Sequence, residues 1–123
     1  MTLSCGVNDV WHGARGVDLP SYKKNITAIV DQAQAAGVKV MLLTSTMIKE
    51  DQSNDLNQKL APYNEFLKAL AKEKKCLLAD LNGDMQTALK TFPEDAPKGK
   101  QLIKTIKRSH CYLSPVLYRE KVK

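Results

Sequence analysis

No run in this 123-residue sequence approaches the roughly 18–20 apolar residues that a membrane-spanning helix requires. The opening Met1-Thr2-Leu3-Ser4-Cys5 holds no basic stretch and no long apolar run, so no secretory leader is recognisable and the compartment is not legible. Cysteine is scarce. Cys5, Cys76 and Cys111 are odd in number and far apart, with no Cys-x-x-Cys pair. That argues against a disulfide framework and against a cysteine zinc site, and leaves small apolar or free thiols. His12 and His110 have no third ligand at a sensible spacing, so no metal is expected, and no cofactor either. Internal repeats and low-complexity segments are absent as well.

Apolar residues make up 43% of the chain, enough for one modest packed domain. The formal net charge is +6, but its distribution is uneven. Residues 1–97 hold 11 Lys/Arg against 12 Asp/Glu, whereas residues 98–123 hold 8 against Glu120 alone. A basic end of this kind binds anions weakly at most when only Tyr112 and Tyr118 accompany it and no recognition motif is present. We therefore expect salt-sensitive, sequence-independent association and no specific nucleic-acid partner.

The pattern predicts a strand over 2–7 and a glycine-punctuated loop over 6–19. A helix then opens at Pro20 or Ser21, with Tyr22, Ile26, Ile29, Val30 and Ala33 on one face, and closes at Gly37. Residues 38–43 read as a strand covered on both faces. After a polar loop over 44–53, Asn54 or Asp55 caps a helix whose stripe is Leu56, Leu60, Tyr63, Leu67 and Leu70. Residues 76–79 read as a third buried strand, and Asn82 as the cap of a helix with Met85, Ala88, Leu89 and Phe92. Strands alternating with helices predict a parallel sheet with ligands beyond its carboxyl edge. Beyond Pro93 the pattern weakens.

One element at that edge carries chemistry. Gly6-Val7-Asn8-Asp9 ends the first strand in a glycine and then presents an asparagine amide. Acyl transfer needs fixed donors for the oxyanion of its tetrahedral intermediate, each worth about 3–4 kcal/mol. The same four residues also suit a plain turn in which Asn and Asp bond their own backbone.

The wider context resembles the SGNH (GDSL-like) ester hydrolases. Gly6-x-Asn8-Asp9 resembles their third motif block, followed by Trp11, Tyr22-Lys23-Lys24-Asn25-Ile26, Ala36-Gly37-Val38-Lys39-Val40-Met41-Leu42-Leu43-Thr44 and Leu60-Ala61-Pro62-Tyr63-Asn64. The resemblance covers about residues 2–100. It implies a flavodoxin-like three-layer α/β/α sandwich with a parallel sheet, incomplete here, and a basic tail over 101–123 without resemblance. It implies that Asn8 is the oxyanion-hole donor, with Gly6 shaping the turn and Asp9 orienting the loop. Trp11 and Thr46, at the same edge, become the candidate substrate contacts.

The departures are large. The sequence has no Gly-Asp-Ser nucleophile block, and Lys107 stands three residues before His110 where the family's Asp-x-x-His has an acid. His12 is an exposed loop residue rather than a base, and neither Ser4 nor Ser45 sits in a Gly-x-Ser-x-Gly elbow. The resemblance begins within the family's third strand; an internal start followed by a shifted frame would account for both departures. The expectation is a segment of an esterase or acylhydrolase acting on small carboxylic esters, acetylated sugars among them, and inactive alone. The alternative is a non-catalytic binding module using the residual cleft or the basic tail. Loss of the neighbouring strand would also leave residues 2–7 as an exposed sheet edge open to self-association.

Overall fold

A computed structural model describes residues 1–49 and 51–91. The expected tail over 101–123, together with Phe92, His110 and Cys111, lies outside the described residues. Residues up to Lys90 form one unit.

Among the described residues, three short strands make a parallel sheet in the order β1 (Thr2–Ser4), β2 (Met41–Leu43), β3 (Leu77–Ala79). The α-helices among the described residues are α1 (Val7–Trp11) and α2 (Leu19–Ala35) between β1 and β2, α3 (Asp55–Glu73) between β2 and β3, and α4 (Leu81–Thr91) after β3. The register aligns Leu3 with Leu42 and Leu42 with Leu78. Side chains alternate across a strand. Val40, Leu42 and Thr44 therefore share one face of the β2 segment, and all three are buried. Tyr22, Ile26 and Val30 of α2 and Leu60, Tyr63, Leu67 and Leu70 of α3 complete the core with Val40 and Leu42.

Local chemistry sets the helix ends. Asp18 caps α2 by accepting from the Ser21 N–H at 3.2 Å, and Pro20 in the first turn lacks a donor that would otherwise be orphaned. Gly37, with φ of +74°, follows the C-cap of α2. Asn54 caps α3 by accepting from Leu56 N–H at 3.0 Å. Pro62 lies inside α3, where the helix nonetheless continues to Glu73.

Several expectations are corrected. The first strand stops at Ser4, because Gly6 turns the chain into α1, a helix of five residues too short to show a period. The stretch over 6–19 is thus a helix, a 3₁₀ turn at Gly13–Arg15 and a short connection rather than one loop. Ile29 is exposed, since burial on α2 follows the i, i+4 ridge Tyr22–Ile26–Val30. The second strand is only Met41–Leu43, and Val38 before it is exposed. The third strand is not buried: Leu77 and Leu78 are 61% and 42% exposed on a strand that, among the described residues, pairs with β2 alone. The cap of α4 is Asp80, whose carboxylate accepts from the Gly83 N–H at 3.1 Å, while Asn82 lies inside the helix.

Candidate functional site

The carboxyl ends of β1 and β2 meet in a dense polar knot. At the end of β1, Gly6 is buried with φ of +123°, a region closed to side-chain-bearing residues. A Cβ there would stand 2.8 Å from Ser45 Oγ and 3.4 Å from the Tyr22 hydroxyl. Glycine is therefore required twice, by its torsion and by the close approach of strand β2's end. The preceding carbonyl, that of Cys5, accepts from Ser45 Oγ at 2.6 Å and from the Tyr22 hydroxyl at 3.0 Å. Burial pushes the Tyr22 phenol and the Cys5 thiol up, so both stay protonated through the physiological range.

Two residues further on, Asn8 lies in the first turn of α1 and is exposed. Its side-chain amide makes no hydrogen bond to a described residue and is free to donate outward. Asp9 Oδ1 accepts from the Val17 N–H at 3.2 Å, and Tyr63 donates to the Val17 carbonyl at 2.9 Å. These two bonds tie the far end of the loop to α1 and α3. Gly16 is needed because a Cβ there would fall on the Asp9 carbonyl oxygen. Trp11, 59% exposed, and His12 follow Asn8 by three and four residues, on the same side of the helical turn. Thr46 is half-buried just past Ser45, on the loop between β2 and α3. Asn8, Trp11 and His12 are thus brought together by α1, while Thr46 belongs to a separate segment. Ser4 is exposed on β1 and Ser45 is committed to the Cys5 carbonyl.

The β2 and β3 ends carry a second set of contacts, whose pairing the sequence did not mark. Asn64 of α3 is buried and grips the backbone of Ser45, accepting from its N–H at 2.7 Å and donating to its carbonyl at 3.1 Å. Asn82 donates to the same carbonyl at 3.0 Å. The available signal was an asparagine at i+4 from Leu60 and i−3 from Leu67, inside the apolar stripe. An open polar cavity of about 340 Å³ lies beside this set, lined by Met47, Gln52, Asn57, Asn64, Lys68 and Gln86 among others. It does not include Asn8 or Trp11.

Asp80 organises the β3 end. Thr44 Oγ1 donates to its Oδ1 at 2.8 Å, and Lys68 Nζ lies 3.1 Å from its Oδ2. Partial burial opposes the charge, but bonds from Thr44, the Gly83 N–H and Lys68 outweigh it and hold the carboxyl below its ordinary 3.8. A depressed folded-state pKa contributes stability that is present above the unfolded value and lost as pH falls through the folded one. Acid titration of the denaturant midpoint should therefore show a decline below pH 3.8 that Asp80→Asn makes shallower. Asp18 and Asp51 are lowered too, by hydrogen bonds from Ser21 and Ser53, so part of the decline persists in that variant. An unchanged slope would show that the Asp80 contacts do not distinguish the two charge states.

A parallel sheet with its polar residues gathered at the carboxyl edge defines an α/β protein of the kind that binds small ligands there. The model of the GDSL-like lipase/acylhydrolase family matches residues 1–110. The chain belongs to that family. Among solved structures it is similar to the acetyl xylan esterase AlAXEase, at 35% identity and a TM-score of 0.71, over 80% of this chain and 52% of that one. It is similar in fold to the acetylxylan esterase Axe2 from Geobacillus stearothermophilus, at 21% identity, a TM-score of 0.68, and 74% and 45% coverage. An alpha/beta hydrolase enzyme from the metagenome of Lake Arreo, Spain, gives 24% identity, a TM-score of 0.66 and the same coverage. The chain spans about half the length of these structures. No curated protein matches it. Among the described residues no helix is long and apolar enough to cross a membrane.

Proposed function

We propose that the chain is a segment of an ester hydrolase that retains one wall of the acyl-transfer site, with Asn8 as oxyanion donor. The observation that carries this is the Gly6 turn, which presents a free, exposed amide at the sheet's carboxyl edge. A donor held in place before the reaction needs no reorganisation as charge develops on the oxygen. Asp9 holds the loop through Val17, and Trp11, one turn along α1, supplies an aromatic surface for the substrate. Thr46 is the candidate contact from the β2 side. Family membership and the likeness to AlAXEase support an acetylated sugar as the ester. Residues 1–100 carry this segment and 101–123 form a basic tail of separate character.

The segment does not hydrolyse esters alone. Its sequence offers neither Gly-Asp-Ser nor Asp-x-x-His, and Ser45 is bonded to a carbonyl rather than to a base. Purified chain should turn over a small activated ester no faster than an unrelated protein surface. Saturable hydrolysis abolished by a serine-directed phosphonate would overturn that statement. A second reading, a non-catalytic binding module, draws on the polar cavity beside Asn64 and Gln86. It is favoured instead if an acetylated xylooligosaccharide binds and Gln86→Ala, but not Asn8→Ala, weakens the binding.

A further inference from the structure

Asn8 is exposed and makes no side-chain bond to a described residue, so something other than its own contacts must fix where its amide points. The start of the turn that carries it is tied to the β2 end and to α2 at one atom, the Cys5 carbonyl oxygen. Ser45 Oγ donates to that oxygen at 2.6 Å and the Tyr22 hydroxyl at 3.0 Å, which fills both of its lone pairs. Ser45 in turn cannot slide. Asn64 bonds its N–H at 2.7 Å and its carbonyl at 3.1 Å, and Asn82 adds a third bond at 3.0 Å. Gly6 lacks the Cβ that would push Ser45 Oγ away. The chain of contacts therefore runs from α3 through Asn64, Ser45 and the Cys5 carbonyl to the Gly6 turn and the first residues of α1.

We infer that Ser45 and Tyr22 are positioning residues for the Asn8 amide, acting through the Cys5 carbonyl, with Asn64 anchoring Ser45. The inference rests on the reading of Asn8 as the oxyanion donor. It gives a role to a serine that has no nucleophilic geometry. It also explains why a buried asparagine interrupts the apolar stripe of α3: its amide has a separate donor and acceptor atom, and these bond the N–H and the carbonyl of one residue. Loss of either hydroxyl leaves one lone pair of the Cys5 oxygen open, and the peptide plane ahead of Gly6 is then held from one side only. Because Gly6 has wide torsional freedom, that slack passes directly to Asn8.

The test uses the full chain labelled at asparagine and glutamine, at low concentration, with acetate as a probe of the oxyanion position. Asn8→Ala identifies the Asn8 side-chain amide signals in a proton–nitrogen correlation spectrum. The Gln34 amide, which donates to the Lys74 carbonyl far from the site, serves as reference. In the unsubstituted chain, acetate should move the Asn8 signals and leave Gln34 in place. Ser45→Ala and Tyr22→Phe should each shift the Asn8 signals before acetate is added and remove most of the acetate response, with Gln34 unchanged. Tyr22→Phe keeps the ring in the core and is read alone if Ser45→Ala does not fold. Equal acetate responses in the variants and the unsubstituted chain would overturn the positioning role while leaving Asn8 as donor. Variant-induced shifts at Asn8 without any acetate response would sustain the positioning role and overturn the oxyanion reading.

Discussion

Gly6→Ala is expected to cost about 2–4 kcal/mol of folding stability, combining backbone strain with the loss of a buried hydrogen bond. At φ of +123° and ψ of −34°, Gly6 occupies a region that alanine does not tolerate. Its new Cβ would also meet Ser45 Oγ at 2.8 Å and displace the hydroxyl from the Cys5 carbonyl. Gly13→Ala is the matched control. Gly13 has φ of +56°, in the ordinary left-handed region, and a Cβ there meets nothing within 4 Å, so its cost should be about 1–2 kcal/mol. Against a total of about 5–15 kcal/mol for a small domain, the first change is severe and the second is absorbed. Denaturant midpoints of the two variants decide the matter. Equal costs would mean that the Gly6 turn relaxes freely, and the tight fit between the β1 and β2 ends would lose its meaning.

This glycine also shows what was legible in the sequence and what was not. Gly6, Asn8 and Asp9 stood out because a strand, a glycine and two short polar residues follow one another directly along the chain. The parallel order was legible because α2 and α3 are long enough to show their apolar periods. The partners of the turn were not legible, since Tyr22 and Ser45 lie 16 and 39 positions from Gly6, and Asn64, which reaches the turn through Ser45, lies 58 away; they come together only in three dimensions. Tyr22 looks like an ordinary position of a helical stripe, and Asn64 like a polar break in one, until their polar atoms find the Cys5 and Ser45 backbones. The cap of α4 was misplaced for a local reason: Asp80 and Asn82 are both good caps, and only the contacts of Asp80 with Thr44 and Lys68 select it.

The chain is expected to self-associate in solution. The register places Met41, Leu43, Leu77 and Ala79 on the sheet face opposite Leu42. The core against α2 and α3 lies on the Leu42 side. Leu77 on the opposite face is 61% exposed, with Met1 at 47% near the start of β1. Each large apolar side chain left in water forgoes about 1.5–3 kcal/mol of burial. Among the described residues β1 and β3 each pair with β2 alone, so both strands present an open edge. Neither Thr2–Ser4 nor Leu77–Ala79 holds a charge or a proline to discourage pairing with another chain. Light scattering across a dilution series should therefore give a mass above that of the monomer, and the unfolding midpoint should rise with protein concentration. Leu77→Lys, which puts a charge on the exposed face without touching the buried core, should shift the mass toward the monomer. A mass at the monomer value at every concentration, with one sharp unfolding transition, would show that this face and these edges are covered within a single chain.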